Sequence, residues 1–484
     1  MPGNDRARTQ SAGAMGAPET ADGRHAERPF DAARDKLISR RHVLAVAGLG
    51  VALRGYTAWW FDITHQADPY FHHAYVIAIV NLQGFEYYAA PYYYLVVALL
   101  SSPLAALSRF HLIDGPAFLA LAAMWSNAVL LVLYAFGCMA LARHLRFRPS
   151  ERLIYVGLCC FVPIVERAFS FLRPENLILM LAPWATIFIL ICWRAMRFSV
   201  PGLRNPAFWP AVASLGVMAT QKMSGLAMVG GLGILSVLLM RGPLVRRLAW
   251  LWRPATVLTV VVVLLATVHW LYSGIWFFEH PVYEPWRVNI SAPLSVFTNF
   301  DPVAAWDNPF RNTHKESMWN ILFIDLFGDY WEYGYANLGS EGAFGVPLEW
   351  KLYRARFGIL ASGVFVLLYT LSVMVLLLSA LRIRGNARPD VIDERAALSG
   401  LFFLGLIIFV LSALAGLYHP GKGDIFKWEY IVMFVPFMML PIPHLLQSTE
   451  NRAARRAIAV VAVLIIVCSV LQSMWLPSPI AFGA

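Results

Sequence analysis

Residues 357–381 read FGILASGVFVLLYTLSVMVLLLSAL, an apolar run without a single Lys, Arg, Asp or Glu. A run of this length is sufficient for one α-helix to cross the hydrocarbon core of a bilayer, which needs about 20 apolar residues. The whole chain has the same character, because 59% of its 484 residues are hydrophobic and only 14% are charged. An average soluble domain is about 25% charged. The sequence therefore excludes a water-soluble protein and predicts an all-α integral membrane protein.

Apolar runs of similar length recur along the chain and predict about eleven membrane-spanning helices. We place them at roughly 43–61, 116–142, 153–172, 177–193, 207–221, 223–240, 254–273, 357–381, 396–417, 428–447 and 457–475. One more apolar run, at 91–107, lies either across the membrane or along its surface. The distribution of positive charge decides between these placements.

The formal net charge of the chain is +10. If 91–107 does not cross the membrane, the N-terminal tail and the short Arg-rich turns all face the cytoplasm, as the positive-inside rule requires. If it does cross, every later turn changes side. We therefore predict a cytoplasmic N-terminus, an extracytoplasmic C-terminus and surface-lying helices around 91–107. The charge then reports orientation in the membrane, and no nucleic-acid partner is expected.

Two long segments form outer loops in this topology, a first one at 62–115 and a large one at 274–356. Long loops carry function more often than the helices they connect. Residues 1–38 contain few large apolar side chains, so we expect a disordered cytoplasmic tail there. The polytopic membrane domain then covers 39–475, and 476–484 form an extracytoplasmic tail.

The first outer loop begins with an unusual concentration of Asp and His, namely Asp62, His65, Asp68, His72 and His73. A carboxylate at the membrane surface is well placed to take a proton from a hydroxyl group, and low dielectric nearby would raise its pKa. The alternative is an ordinary solvated acid. Asp and His are also common metal ligands, but no recognised ligand spacing is present. We assign no metal ligand here and keep a divalent metal as an open alternative.

Several short motifs follow in order along the chain. They are Ala90-Pro91-Tyr92-Tyr93-Tyr94, Arg173-Pro174-Glu175-Asn176, Thr220-Gln221-Lys222, Phe327-Gly328-Asp329-Tyr330-Trp331 and Lys427-Trp428-Glu429-Tyr430. Together with an Asp shortly after the first span, this ordered set resembles the glycosyltransferase C superfamily, the multi-span enzymes of the protein O-mannosyltransferase and aminoarabinose-transferase kind. The resemblance covers roughly residues 40 to 475.

The resemblance implies transfer of a sugar from a polyprenyl-phosphate donor to an acceptor hydroxyl of a lipid, glycan or protein. It implies inversion at the anomeric carbon, on the extracytoplasmic face of the inner membrane. A first-loop acid is then the general base, with Asp68 as the first candidate and Asp62 as the second. Such enzymes need no sugar nucleotide, and the sequence contains no Gly-rich phosphate loop.

The departing lipid phosphate requires cations on the outer side, since charge-assisted hydrogen bonds stabilise a partly desolvated anion. The candidates are Arg173, Lys222, Lys422 and Lys427. Candidates for contact with the sugar or the acceptor are His72, His73, Tyr92, Asp329, Tyr330 and Trp331. The alternative for each cation is a residue that snorkels from a helix end to the interface.

Two other classes of protein have the same overall composition. A transporter or flippase places ionisable residues in the middle of its spans, whereas Arg54 is the main such residue here. A lipid-linked oligosaccharide ligase or polymerase would carry a catalytic Arg and His in its large outer loop. Arg311 and His314 keep that alternative open.

The surface placement of 91–107 predicts that residues on either side of it face the same compartment. Cysteines introduced by His65→Cys and by Asp114→Cys should both react with a membrane-impermeant thiol reagent in right-side-out vesicles. Labelling of the two positions from opposite sides would show that 91–107 crosses the membrane.

Overall fold

The computed structural model describes residues 29–60, 69–84, 90–109, 115–196, 204–240, 243–275, 295–310, 314, 316–327, 348–386, 394–414, 428 and 431–474. Every regular element in these ranges is a helix, which confirms the all-α prediction. The helices are α1 (Pro29–Trp60), α2 (Pro69–Val80), α3 (Tyr92–Arg109), α4 (Gly115–His144), α5 (Pro149–Phe161), α6 (Pro163–Ser170), α7 (Glu175–Met196), α8 (Phe208–Gln221), α9 (Met223–Leu239), α10 (Leu244–Ser273), α11 (Ser295–Thr298), α12 (Pro302–Asp307), α13 (Met318–Phe327), α14 (Leu348–Asn386), α15 (Glu394–Leu414), α16 (Val435–Met438), α17 (Pro441–Ser448) and α18 (Arg452–Met474). A 3-10 turn, Val432–Phe434, leads into α16.

Six of these helices are long and apolar enough to cross a bilayer, namely α4, α7, α10, α14, α15 and α18. Helices α5 and α6, which meet at an angle of 55°, add a seventh if they are counted as one bent span. Shorter apolar helices occupy other predicted spans, among them α9 and the broken segment 432–448. The protein is therefore a multi-span membrane protein, but helix length and composition alone do not yield eleven spans.

The helix boundaries differ from the expected ones at the N-terminal end. Helix α1 begins at Pro29, inside the segment whose composition predicts disorder. Ala33, Lys36 and Leu37 have high helix propensity, and a span that is already helical extends easily through such residues. The run expected at 91–107 forms α3, which contains Pro103 and ends at Arg109.

Two breaks separate consecutive helices. Helix α5 ends at Phe161 and α6 begins at Pro163, because proline lacks the backbone N–H that a continuous helix would need there. Between α8 and α9, Lys222 has extended backbone angles, φ −164° and ψ 158°. The chain then turns so tightly that the Gly225 N–H donates to the Lys222 carbonyl at 2.9 Å. Lys222 thus lies between the last residue of α8 and the first residue of α9.

The centre of the bundle is built around α4, which packs against α1, α3 and α7. Its inward face carries Tyr134, Ala135 and Cys138, all fully buried. In contrast, α10, α14 and α18 expose long apolar stripes that include Leu271 and Leu367. Contiguous exposed apolar surface of this extent suits contact with lipid.

The tight turn after Lys222 predicts a strong difference between two glycines of α9. A Cβ atom at Gly225 would lie 1.9 Å from the Met218 carbonyl oxygen, whereas a Cβ atom at Gly230 meets nothing within 4 Å. We expect Gly225→Ala to lower stability by about 1–3 kcal/mol or more, because the backbone has to move. Gly230→Ala serves as the control and should not lower the melting midpoint in detergent. Equal midpoints for the two variants would contradict the close approach of α8 and α9.

Candidate functional site

Three segments that are distant in sequence meet at a group of helix ends. They are the start of α3, the turn between α6 and α7, and the break between α8 and α9. The Arg173 N–H donates to the Tyr93 hydroxyl at 3.2 Å, and the Tyr93 N–H donates to the Gln221 side-chain oxygen at 3.1 Å. Lys222 forms an ion pair with Glu175. Three of the motifs quoted above are therefore neighbours in space.

Gln221 joins the end of α8 to the start of α3. Its side-chain amide donates to the Ala90 carbonyl at 2.8 Å, and its side-chain oxygen accepts the Tyr93 N–H. The first N–H groups of a helix have no partner within that helix, so an oxygen acceptor at this point stabilises the start of α3. Because Gln221 is fully buried, the chain direction into Lys222 is fixed as well.

Two buried amides hold the turn that carries Arg173. The Tyr93 hydroxyl donates to the Asn127 side-chain oxygen at 2.9 Å, and the Asn176 amide donates to the same oxygen at 3.1 Å. Both amides also donate to the Phe171 carbonyl, each at 2.7 Å. Such a network of buried polar groups is costly to disturb, since each group that loses its partner stays desolvated. The backbone on both sides of Arg173 is therefore rigid.

The cationic side chains of this site are half-buried. The Lys222 side chain is 19% exposed, and its partner Glu175 is 1% exposed. The Arg173 guanidinium lies 6.0 Å from the centre of the Phe171 ring and is also partly exposed. Among the described residues, two cationic side chains thus lie near one buried carboxylate. Partly exposed cations of this kind favour charge-assisted hydrogen bonds to an anion.

His72, on the first turns of α2, is part of the same site. Its Nδ1 atom and the Tyr94 hydroxyl share a hydrogen bond of 2.6 Å, and the two rings stack at 5.8 Å. Burial holds the pKa of His72 well below its usual range, and the positive charges of Arg173 and Lys222 lower it further. Burial also lowers the pKa of the neighbouring His73. His72 is therefore a neutral hydrogen-bonding group at physiological pH.

Tyr92 and His314 form hydrogen bonds outside the Arg173 site. The Tyr92 hydroxyl donates to the Leu265 carbonyl, which packs α3 against α10. Both ring nitrogens of His314 have partners close in sequence, the Asn308 carbonyl at 2.7 Å and the Asn320 amide at 3.2 Å. Neither side chain presents its polar atoms to the Arg173 site.

The remaining candidates fall on stretches that the structure does not describe. They are Asp62, Asp68, Asp329, Tyr330, Trp331, Lys422 and Lys427. Within the described part of the chain, no group of three or more His, Cys, Asp or Glu side chains could hold a metal ion. The roles of Asp62 and Asp68 as candidate bases and of Lys422 and Lys427 as phosphate-binding cations stay predictions.

The motifs quoted from the sequence contain further residues that hold this group of helix ends together. Tyr93, Glu175 and Gln221 lie inside quoted motifs, yet only their neighbours were selected as candidates. Asn127 had a signal of its own, because an amide inside the apolar α4 run needs a partner in the bundle. Partners of this kind come from other helices, so pairwise contacts were needed to find them.

A separate apolar cavity of about 450 Å³ lies between α13, α14, α15 and Trp428. The Trp428 indole donates to the Leu322 carbonyl at 2.6 Å and stacks on Phe402 at 6.1 Å. Phe365 and Tyr369 of α14 continue the aromatic wall, stacked at 5.9 Å. The cavity is aromatic and nearly free of polar groups, as a binding place for a hydrocarbon chain should be.

Comparison with known proteins finds no protein-family model and no curated protein that matches this chain. The geometry of the site is accordingly the basis for assigning a function.

The neutral state of His72 predicts a pH dependence of stability. An unfolded histidine titrates near pH 6.5, so below that pH the unfolded chain binds a proton that the folded chain excludes. Stability should therefore fall between pH 7.5 and pH 5.5, by at most about 1.4 kcal/mol per pH unit from this group. His72→Gln should flatten the fall of the melting midpoint with pH.

The control for that experiment is His42→Gln, because His42 lies on the exposed side of α1. This variant should keep the pH slope of the unaltered protein. If His72→Gln also keeps that slope, His72 is not buried as a neutral group.

Proposed function

We propose that the protein is a membrane glycosyltransferase that moves a sugar from a polyprenyl-phosphate donor to an acceptor hydroxyl. The observation that carries the proposal is the convergence of the Tyr92–Tyr94, Arg173–Asn176 and Thr220–Lys222 segments around two half-buried cations. These segments resemble, in the same order, motifs of the glycosyltransferase C superfamily. Such a convergence is expected if all three serve one site.

The two cations suit a lipid phosphate as leaving group. Transfer of the sugar leaves negative charge on the phosphate, and Arg173 and Lys222 can receive it at a point where water is partly excluded. A charge-assisted hydrogen bond contributes about 1.5–3 kcal/mol in such surroundings. Glu175 keeps Lys222 in place. His72, neutral and bonded to Tyr94, lies close enough to Arg173 and Lys222 to feel their charge.

The aromatic cavity near Trp428 favours a donor that carries a lipid chain. It is lined by α13, and α13 packs against α6, whose end leads into the Arg173 turn. An isoprenoid chain is long and apolar, so it needs a continuous hydrocarbon-like surface beside the phosphate site. The cavity is connected to the site through the packing of α13 on α6.

The proposed general base is a carboxylate of the first outer loop. Asp68 directly precedes α2, the helix that carries His72, and it remains the first candidate, with Asp62 as the second. A carboxylate there would take the proton of the acceptor hydroxyl as the new glycosidic bond forms on the face opposite the phosphate, which gives inversion.

The proposal includes the finer topology. We infer eleven spans, with α8 and α9 as short spans joined at Lys222, a cytoplasmic N-terminus and the active site on the extracytoplasmic face of the inner membrane. The Arg-rich ends of α4, α5, α7 and α18 then share the cytoplasmic side, which agrees with the positive-inside rule.

A flippase or transporter is the second candidate function, and one observation favours it. Arg54 and Glu166 are both buried in the bundle, and Arg54 donates to the Gly50 and Cys160 carbonyls. Buried ionisable residues are typical of carriers. A lipid-linked oligosaccharide ligase or polymerase is less well supported, because His314 is held within its own loop.

The test gives the purified enzyme in detergent a panel of polyprenyl-phosphate sugars and measures sugar release and transfer. We expect Asp68→Asn to reduce transfer by about 100-fold or more, as loss of a general base does. Arg173→Gln and Lys222→Met should each reduce it by about 10- to 100-fold. Arg356→Gln is the matched control, because Arg356 donates to the Trp306 carbonyl away from the site.

The outcomes separate the parts of the proposal. Unchanged transfer in Asp68→Asn together with loss in Asp62→Asn would move the base to Asp62. Unchanged transfer in both would refute a first-loop base. If no donor releases its sugar while a solute gradient drives uptake into vesicles, the protein is a carrier and the enzyme class is wrong.

A further inference from the structure

Helix α10 is longer than a bilayer core is thick. Its 30 residues, Leu244–Ser273, span about 45 Å, whereas the hydrocarbon core is about 30 Å thick. Counted back from Ser273, the core ends near Pro254, which lies inside the helix. The first turns of α10, residues 244–253, therefore lie at the level of the lipid headgroups.

These first turns present a basic and aromatic face. Arg246, Trp250 and Arg253 follow one another at spacings of four and three residues, so they share one side of the helix. The Arg246 guanidinium lies 4.9 Å from the centre of the Trp250 ring, and both arginines are exposed. Leu248 and Trp252 are exposed apolar neighbours. The segment thus combines positive charge with side chains that favour the membrane interface.

Arg247 has a different role from the arginines on either side of it. It donates to the carbonyls of Val237 and Leu238, at 3.3 and 3.5 Å, and so fastens the start of α10 to the last turn of α9. Cations at a helix C-terminus stabilise its open carbonyl groups. Since Arg247 fixes the backbone, Arg246 and Arg253 keep a defined orientation while their guanidinium groups stay accessible.

An apolar cavity of about 180 Å³ adjoins this face. It lies between α7, α8, α9 and α10, and its walls include Cys192, Phe208, Gly233, Leu251 and Leu258. Pro254 also lines it and follows Trp250 by four residues, so this part of the cavity wall lies beside the basic face. The cavity is separate from the aromatic cavity near Trp428 and from the Arg173 site.

We propose that this place binds one anionic phospholipid, with its phosphate group on Arg246 and Arg253 and part of one acyl chain in the cavity. The charge argument selects the anionic class. No Asp or Glu occurs anywhere in residues 241–275, so nothing in this stretch would hold the ammonium group of a zwitterionic headgroup. A phospholipid carries a phosphate group and apolar chains in the same molecule. Basic pockets between helices on the cytoplasmic side commonly bind such headgroups.

The first test removes the charge. Native mass spectrometry of the full chain measures how many lipids are retained when phosphatidylglycerol or phosphatidylcholine with the same acyl chains is added. We expect preferential retention of one phosphatidylglycerol, reduced at least about fivefold in the double variant Arg246→Gln/Arg253→Gln. Arg452→Gln/Arg456→Gln is the matched control, because these exposed arginines of α18 carry the same charge at a distance from the cavity.

The second test fills the cavity without changing any charge. A Cβ atom at Gly233 or at Gly230 meets nothing within 4 Å, so a side chain can start at either position without displacing the backbone. Gly233→Leu should lower phosphatidylglycerol retention, because Gly233 lines the cavity, whereas Gly230→Leu should not. If the two double arginine variants lose phosphatidylglycerol equally, or if Gly233→Leu has no effect on its retention, the attraction to anionic lipid is diffuse. Either result would overturn the proposal of a specific lipid site.

Discussion

In a helix bundle that faces lipid, a buried polar group finds no water in the apolar region, so the protein has to supply its hydrogen-bond partner. The Tyr93 hydroxyl group shows this constraint acting on three segments at once. It donates to Asn127 of α4 and accepts the backbone N–H of Arg173. Helices α3 and α4 and the turn before α7 are thereby fixed to one another. The position of Arg173 follows from this arrangement, and the position of Lys222 follows from the bonds of Gln221 to the start of α3.

The charged groups of the two sites lie at opposite ends of α9. Lys222 precedes its first residue, and Arg247 donates to the carbonyls of its last turn. The cost of desolvating a charge falls towards the ends of a membrane helix, so cations can stay partly exposed there and still lie beside apolar surface. The end near Arg247 also adjoins an apolar cavity, and positive charge beside such a cavity is the combination that an amphiphilic anion requires.

The fold class was predictable because hydropathy is a local property of the chain. The run 357–381 needs no partner to be assigned as a helix, and α14 covers it completely. The span count was not predictable in the same way. Helices α8 and α9 are short and break at Lys222, and the segment 432–448 consists of three short pieces. Whether such pieces cross the membrane depends on which helices surround them.

By itself, the sequence determined a helical membrane protein with positive charge gathered at particular turns, and it brought the three motifs into view in the correct order. Only the tertiary structure decided which of their residues meet. Glu175 with Lys222, and Tyr93 with Arg173, are separated by many residues along the chain, yet each pair is in contact. Contacts of this kind arise from helix packing, and helix packing depends on the shapes of whole faces rather than on any short stretch of sequence.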